Sequence, residues 1–213
     1  MIMRRQISVL VISFLVCFTF ATNVQASYSL SIDDDDDYTD ESLVFSIWAY
    51  TSCTTNTDTG IMRGRGVTPW LGGTHDYYAD MYFGFEAEED GQVSMTAVWA
   101  LSYRIQAQTS VGAFANIVVA YRLYDTDQSY LEKKIVFADL VECEDGSTVF
   151  SQGSINENNN KVKTFNFALN EGSNYYVSVR IFVRLYGVYA LATANGDTGQ
   201  PFELDVNEIT VYR

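Results

Sequence analysis

The stretch QVSMTAVWALSYRIQAQ, residues 92–108, decides the fold class. Its even positions are mostly polar, and its odd positions are all apolar: Val93, Met95, Ala97, Trp99, Leu101, Tyr103, Ile105 and Ala107. Successive side chains of a β-strand point to opposite faces, so this alternation buries one face and leaves the other in water. The stretch therefore predicts a long antiparallel strand that lines one side of a β-sandwich core.

The remainder of the chain repeats this kind of run, with turn-forming residues between the runs. Apolar residues cluster in residues 42–51, 77–85, 113–124, 130–143, 161–169, 175–192 and 202–212. The first of these is apolar on both faces and predicts a central strand. A bend is expected at Gly187, and a change of apolar parity near Asn207 and Glu208 predicts a β-bulge. No helical periodicity follows residue 26. The sequence predicts an all-β protein, with one antiparallel, jelly-roll-like β-sandwich domain over residues 42–213.

The first 26 residues have the pattern of a secretory signal peptide. Arg4 and Arg5 precede an apolar run over residues 7–20, and the small residues Val24 and Ala26 precede the expected cleavage point. A membrane anchor is the alternative, but the run is shorter than the roughly 20 apolar residues of a spanning helix. We therefore expect a protein that is secreted, extracellular or held in the cell envelope, with no membrane span after cleavage.

Residues 27–41 are predicted to form a flexible acidic segment, because residues 33–37 are five consecutive aspartates whose charges repel each other. Calcium binding is an alternative for this run, although the glycine spacing of a calcium loop is missing. Residues 28–32 alternate as a short strand does. On a flexible tether, they could complete the sheet of a neighbouring molecule.

Charge and cysteine content narrow the range of partners. The chain has 27 Asp and Glu against 13 Lys and Arg, a formal net charge of −14. This balance argues against nucleic acid and anionic membrane surfaces as partners, because both require clustered cations. After cleavage the chain retains Cys53 and Cys143, and export to an oxidising compartment predicts a disulfide between them. Two buried thiols are the alternative; a metal site with His75, the single histidine, is disfavoured.

Two short stretches are candidates for chemistry. Glu203, Asp205 and Glu208 match an E-x-D-x-x-E pattern that resembles the signature of the laminarinase-like retaining β-glucanases. The resemblance implies a nucleophile, an assisting acid and an acid/base, in that order, but it covers six residues at the end of the chain. Residues 125–129 alternate oxygen-bearing side chains as calcium loops do, yet lack the required glycine. The sequence therefore predicts neither catalysis nor a cofactor, and it assigns no metal ligands.

A binding site is predicted in residues 54–76, which have the turn-rich composition of a long loop. Trp70, His75, Tyr77 and Tyr78 lie in or next to this stretch, and aromatic rings beside polar groups stack well on sugar rings. Alternatively, Trp70 caps the core. We expect a non-catalytic extracellular binding or cell-surface module with a glycan or surface protein as partner. The alternatives are a structural subunit of a surface assembly and a glycoside hydrolase.

Overall fold

The computed structural model describes residues 27–31, 38–44, 50–56, 59–68, 73–109, 112–144, 146–158, 161–187, 190–195 and 201–212. These residues form thirteen strands in two antiparallel sheets. The strands are β1 (Ser27–Ser31), β2 (Tyr38–Val44), β3 (Tyr50–Asn56), β4 (Ile61–Val67), β5 (Gly73–Glu86), β6 (Gly91–Thr109), β7 (Ala113–Tyr124), β8 (Tyr130–Cys143), β9 (Thr148–Asn158), β10 (Lys163–Leu169), β11 (Asn174–Gly187), β12 (Ala190–Asn195) and β13 (Phe202–Tyr212). The antiparallel all-β prediction is confirmed. No helix in the described part of the chain has the length and apolarity of a membrane span.

The eight-stranded sheet is built around β6, which is 19 residues long. β13 and β12 lie end to end along one edge of β6, and β10 and β9 lie end to end along the other. β4 pairs with both β12 and β13, while β3 pairs with β4 and β1 pairs with β13. The second sheet has the order β2-β5-β11-β7-β8. Residues 92–108 thus belong to the strand that pairs with four other strands of its sheet.

The core lies between the two sheets, and the alternation in β6 predicts its inner face correctly. All eight odd positions from Val93 to Ala107 are at most 5% exposed. The backbone N–H of Ala97 and the indole N–H of Trp99 both donate to the hydroxyl of Tyr121, over 3.2 and 3.3 Å. Because Tyr121 belongs to β7, this buried hydroxyl joins the two sheets across the core.

Two predicted irregularities are present. Val206 pairs with Trp99 and Glu208 pairs with Val98, which leaves Asn207 as the extra residue of a β-bulge. β11 ends at Gly187, and β12 begins at Ala190 in the other sheet. The expected bend at Gly187 is therefore the point at which the chain leaves the five-stranded sheet.

The predicted central strand and long loop are both corrected. β2 is an edge strand of its sheet, and residues 45–49 lie outside the described residues. Most of residues 54–68 belong to the β3–β4 pair instead of a loop. The physical reason is that Gly64 and Gly66 lie on the inner side of β4. A Cβ at Gly64 would overlap the Phe202 ring, and a Cβ at Gly66 would lie 2.6 Å from the Tyr77 hydroxyl oxygen. These glycines accommodate large side chains where composition alone indicates turns.

The segment predicted to be flexible, residues 27–41, is paired at both ends. β1 runs antiparallel to the end of β13, from Ser27 opposite Tyr212 to Ser31 opposite Glu208, and β2 pairs with β5. Residues 33–37 lie outside the described part of the structure. The acidic run is confined to these five positions, whereas the strand-like alternation extends on either side of it. The strand that was a candidate for pairing with a neighbouring molecule therefore pairs within its own chain.

Like β4, the strand β9 is not predicted from the sequence. It covers Thr148–Asn158, whose last residues are rich in asparagine, a composition typical of polar loops. β9 pairs along β6 from Val98 to Gln108. Its outward side chains are exposed, and its inward ones are only half-buried. An edge strand of this kind has little apolar periodicity to reveal it.

The two cysteines are not joined within the described residues. Cys53 lies on β3 opposite Gly64, with its half-buried side chain against the core. Cys143 is the last residue of β8, and its buried thiol donates to the carbonyl oxygen of Ser147 over 2.9 Å. The predicted disulfide is therefore corrected. An even cysteine count says nothing about where the two residues lie, and here they lie on edge strands of different sheets.

Candidate functional site: the outer face of the five-stranded sheet

The side chains that point away from the core on β5, β11, β7 and β8 form one continuous surface, here called the outer face. The strand register places Asp80, Arg180, Ala120 and Ile135 in one row across the sheet. The rows on either side of it are Tyr78, Phe182 and Val118, and Tyr82, Ser178, Arg122 and Lys133. The solvent-facing side of an antiparallel sheet usually has polar residues, whereas arginines and aromatic rings occupy many of these positions here.

A buried carboxylate lies beneath this surface. Asp80 is 0% exposed, and its Oδ1 accepts a hydrogen bond from the Ser178 hydroxyl over 3.0 Å. Its Oδ2 accepts from the Tyr82 hydroxyl over 3.2 Å and from Nε of Arg180 over 2.7 Å, and also forms an ion pair with Nη2 of Arg180. Burial alone would lower the pKa of Arg180, but the hydrogen bonds and charge of Asp80 outweigh it and raise that pKa. Burial, followed by the Asp80 charge, raises the pKa of Tyr82.

This network fixes the position of Arg180. Its guanidinium carbon lies 3.6 Å from the centroid of the Tyr78 ring, so the cation is held between a carboxylate and an aromatic face. Four residues further along the same strands, Arg184 donates to both oxygens of Asp76, over 2.7 and 2.5 Å. These hydrogen bonds raise the pKa of Arg184. Both arginines of β11 on this face are thus oriented by carboxylates of β5.

Aromatic side chains form two groups on this face. In the first, Tyr124 lies between Tyr82 and Tyr130, with ring centroids 5.2 and 6.2 Å away. The second is the stacked pair of Phe114 and Tyr186, with centroids 5.3 Å apart. In the strand register, the two groups lie at opposite ends of the outer face.

A depression of about 270 Å³ lies between the two groups. It is lined by Val118, Ala120, Arg122, Lys133, Ile135, Arg180, Phe182 and Arg184. Val118 and Ala120 have the smallest side chains of this lining, and Ile135 and Phe182 add to its apolar part. Beside it, the register of β7 against β8 shifts between Val119 and Ala120, and a bulge of this kind re-aims side chains at a sheet edge. The result is an apolar floor surrounded by four cationic side chains.

The predicted site residues are only partly brought together. Tyr78 lies on the outer face under Arg180, as described above. Tyr77 points the other way, is 1% exposed, and packs in the core with its ring 6.1 Å from that of Phe202. Tyr77 is thus corrected from a binding residue to a core residue, because neighbouring residues of one strand face opposite sides. His75 lies on β5, where its backbone pairs with that of Leu185 on β11, and its side chain is outside the described part of the structure. Trp70 lies outside the described residues.

The residue types on the outward positions of β11 indicate the outer face, although the alternation of apolar and polar residues alone does not. In β11 the core positions are occupied by Val177, Val179, Ile181, Val183 and Leu185. The alternate positions are Tyr176, Ser178, Arg180, Phe182, Arg184 and Tyr186. A solvent face that alternates arginine with aromatic residues is unusual for a strand, and this composition could have indicated the surface.

The E-x-D-x-x-E residues lie on the other sheet. Glu203 forms an ion pair with Arg63 over 2.7 Å, and Glu208 accepts a hydrogen bond from the Thr210 hydroxyl over 2.8 Å. Burial and the neighbouring Glu203 charge raise the pKa of Asp205. These carboxylates are separate from the depression on the outer face of the five-stranded sheet.

The calcium-like stretch at residues 125–129 forms a turn closed by its own hydrogen bonds. Oδ1 of Asp125 accepts from the backbone N–H of Thr126, and Oδ1 of Asp127 accepts from that of Ser129. No group of three or more histidine, cysteine or acidic side chains suited to a metal ion occurs within the described residues. The turn is accounted for by its backbone contacts.

No protein-family model and no curated protein sequence matches the chain. Solved structures that are similar to this chain include the family 11 xylanase from Neocallimastix patriciarum, which has 10% identity and a TM-score of 0.38 over 88% of this chain and 99% of the xylanase. The CBM22-1 xylan-binding domain from Paenibacillus barcinonensis Xyn10C has 9% identity and a TM-score of 0.26, over 84% of this chain and 93% of that domain. At such identities and scores, the similarity carries no argument about function.

Proposed function

We propose that the protein is a secreted, non-catalytic β-sandwich module that binds a glycan on the outer face of its five-stranded sheet. The observation that carries this proposal is the pairing of aromatic rings with fixed arginines around an apolar depression. Sugar rings present apolar C–H faces and polar edges. They are therefore bound by aromatic and apolar surfaces together with a few oriented hydrogen-bond donors.

The carboxylates of this face support binding over hydrolysis. Asp80 and Asp76 each accept hydrogen bonds from an arginine, so both are held as acceptors that orient a cation. A glycosidase requires two carboxyl groups facing one sugar linkage, one of which supplies a proton. The outer face instead presents donors: the guanidinium groups of Arg122, Arg180 and Arg184, and the ammonium group of Lys133.

The test is glycan binding by matched phenylalanine variants. Phe182 lines the depression, with the Arg184 guanidinium carbon 5.4 Å from its ring centroid. Phe150 is 55% exposed on the opposite sheet, with Arg104 5.0 Å from its centroid. On a glycan array followed by calorimetry, Phe182→Ala should weaken binding by about 1–3 kcal/mol with little change in melting temperature. Phe150→Ala should leave the affinity unchanged.

Two results would contradict the proposal. One is the absence of binding to every glycan tested, and the other is a ligand whose affinity is insensitive to Phe182→Ala. Release of reducing ends from a glucan, abolished by Glu203→Gln, would instead support the hydrolase interpretation. Hydrolysis assays therefore belong in the same set of measurements.

A further inference from the structure

Two cations of the outer face have no carboxylate partner among the described residues. Arg122 on β7 and Lys133 on β8 lie directly opposite each other in the strand register, and both line the depression. Among the described residues, neither takes part in a salt bridge, whereas Arg180 and Arg184 on the same face each have a carboxylate. Like charges directly opposite each other on neighbouring strands destabilise a sheet. The chain has about twice as many Asp and Glu as Lys and Arg, yet no acidic side chain among the described residues forms a salt bridge with either cation.

Contacts with two tyrosines fix the orientation of the Arg122 side chain. Its Nη1 donates to the Tyr124 hydroxyl over 2.9 Å, and its guanidinium carbon lies 4.6 Å from the centroid of the Tyr130 ring. Stacking holds the plane of the guanidinium, which retains further N–H donors in a fixed fork. Lys133 is exposed and supplies a mobile point charge across from this fork. Together they can contact one anionic group from two sides.

The floor of the depression distinguishes the expected ligand from a bare inorganic anion. Val118, Ala120, Ile135 and Phe182 present apolar surface next to the two cations. A small ion makes no use of such a floor, whereas the C–H face of a sugar ring does. The volume of about 270 Å³ is just under the roughly 300 Å³ at which pockets for drug-sized ligands begin, so it suits one ring of a longer chain.

We propose that this depression is a subsite for a negatively charged sugar, a uronate or a sulfate ester, whose anionic group is bound by Arg122 and Lys133. This proposal rests on the glycan-binding function proposed above and specifies the ligand class. Charge-assisted hydrogen bonds to carboxylate or sulfate oxygens would relieve the repulsion between the two cations. Preference for the charged sugar should weaken at high salt, because exposed charges are screened.

The experiment compares charged and neutral forms of the same glycans by calorimetry. One pair is oligogalacturonate and its methyl ester, and the other is dextran sulfate and dextran. We expect one charged form to bind about tenfold or more tightly than its neutral counterpart, and the pair that shows this identifies uronate or sulfate as the group. Arg122→Gln and Lys133→Gln should each remove most of that preference, so that the ratio of the charged-form to the neutral-form affinity falls toward one.

The matched control is Arg104→Gln, which removes the same charge from the other sheet, where Arg104 lies over Phe150. Equal affinity for charged and neutral forms would overturn the subsite while leaving glycan binding intact. So would an equal loss of preference in the Arg104→Gln protein, since that indicates attraction to net charge alone. If no glycan of either form binds, the proposed function itself fails. Melting temperatures of all variants show whether a loss of binding reflects unfolding.

Discussion

The Asp80–Arg180 pair provides a prediction whose magnitude follows from burial. In Asp80→Asn the side chain keeps its shape but loses its charge and one acceptor oxygen. Arg180, whose side chain is only 13% exposed, then faces an amide in place of a carboxylate. Leaving a buried charge without its partner costs about 3–5 kcal/mol. In a domain of this size, a loss of about 3 kcal/mol lowers the melting temperature by roughly 6–12 °C.

The same strands supply the control. Asp76 and Arg184 form an equivalent pair four residues along, but their side chains are 22% and 47% exposed. Exposed ion pairs contribute about 0–1 kcal/mol, so Asp76→Asn should change the melting temperature by less than roughly 4 °C. Urea unfolding followed by circular dichroism gives the free energy of unfolding of both variants.

A double variant tests the physical reason for the difference. Asp80→Leu combined with Arg180→Met replaces both charges with apolar groups, and such replacements of buried pairs are often close to neutral. It should therefore be more stable than Asp80→Asn alone. Equal losses from Asp80→Asn and Asp76→Asn, or a double variant as unstable as Asp80→Asn, would refute the assignment of a buried pair.

Three further variants test the core, the glycine positions and the cysteines. Tyr121→Phe removes the acceptor of two buried N–H groups of β6 and should cost about 1–3 kcal/mol for each in urea unfolding; an unchanged stability would show that these bonds do not join the sheets. Gly64→Ala forces a methyl group into the Phe202 ring and should cost about 1–3 kcal/mol, partly recovered by Phe202→Leu; a stabilised Gly64→Ala protein would contradict this packing. In denaturant without reductant, Cys53 and Cys143 should both be alkylated in the mass spectrum, and two protected sulfurs would restore the predicted disulfide.

Much of the fold is predictable from local alternation, because burial of one strand face leaves a direct record in the sequence. The inner face of β6, the bulge at Asn207 and the break at Gly187 all follow from period-two patterning and its interruptions. The pattern fails where the inner side chain is a glycine or where the strand lies at an edge. The composition of β4 indicates turns, because its inner positions are glycines that accommodate Phe202 and Tyr77. The sequence of β9 indicates a loop, because its inner face is only half-buried and has little apolar periodicity.

The candidate site depends on the tertiary structure for a different reason. The sequence by itself determines that Tyr77 and Tyr78 face opposite sides of a strand and that β11 alternates an apolar face with arginines and aromatic rings. It does not determine which strands are neighbours. Asp80 and Arg180 are 100 residues apart and face each other only because β5 pairs with β11, while Arg122 and Lys133 meet only because β7 pairs with β8. The energy that selects these pairings is the burial of both sheets against one core, a property of the whole chain that no single stretch contains.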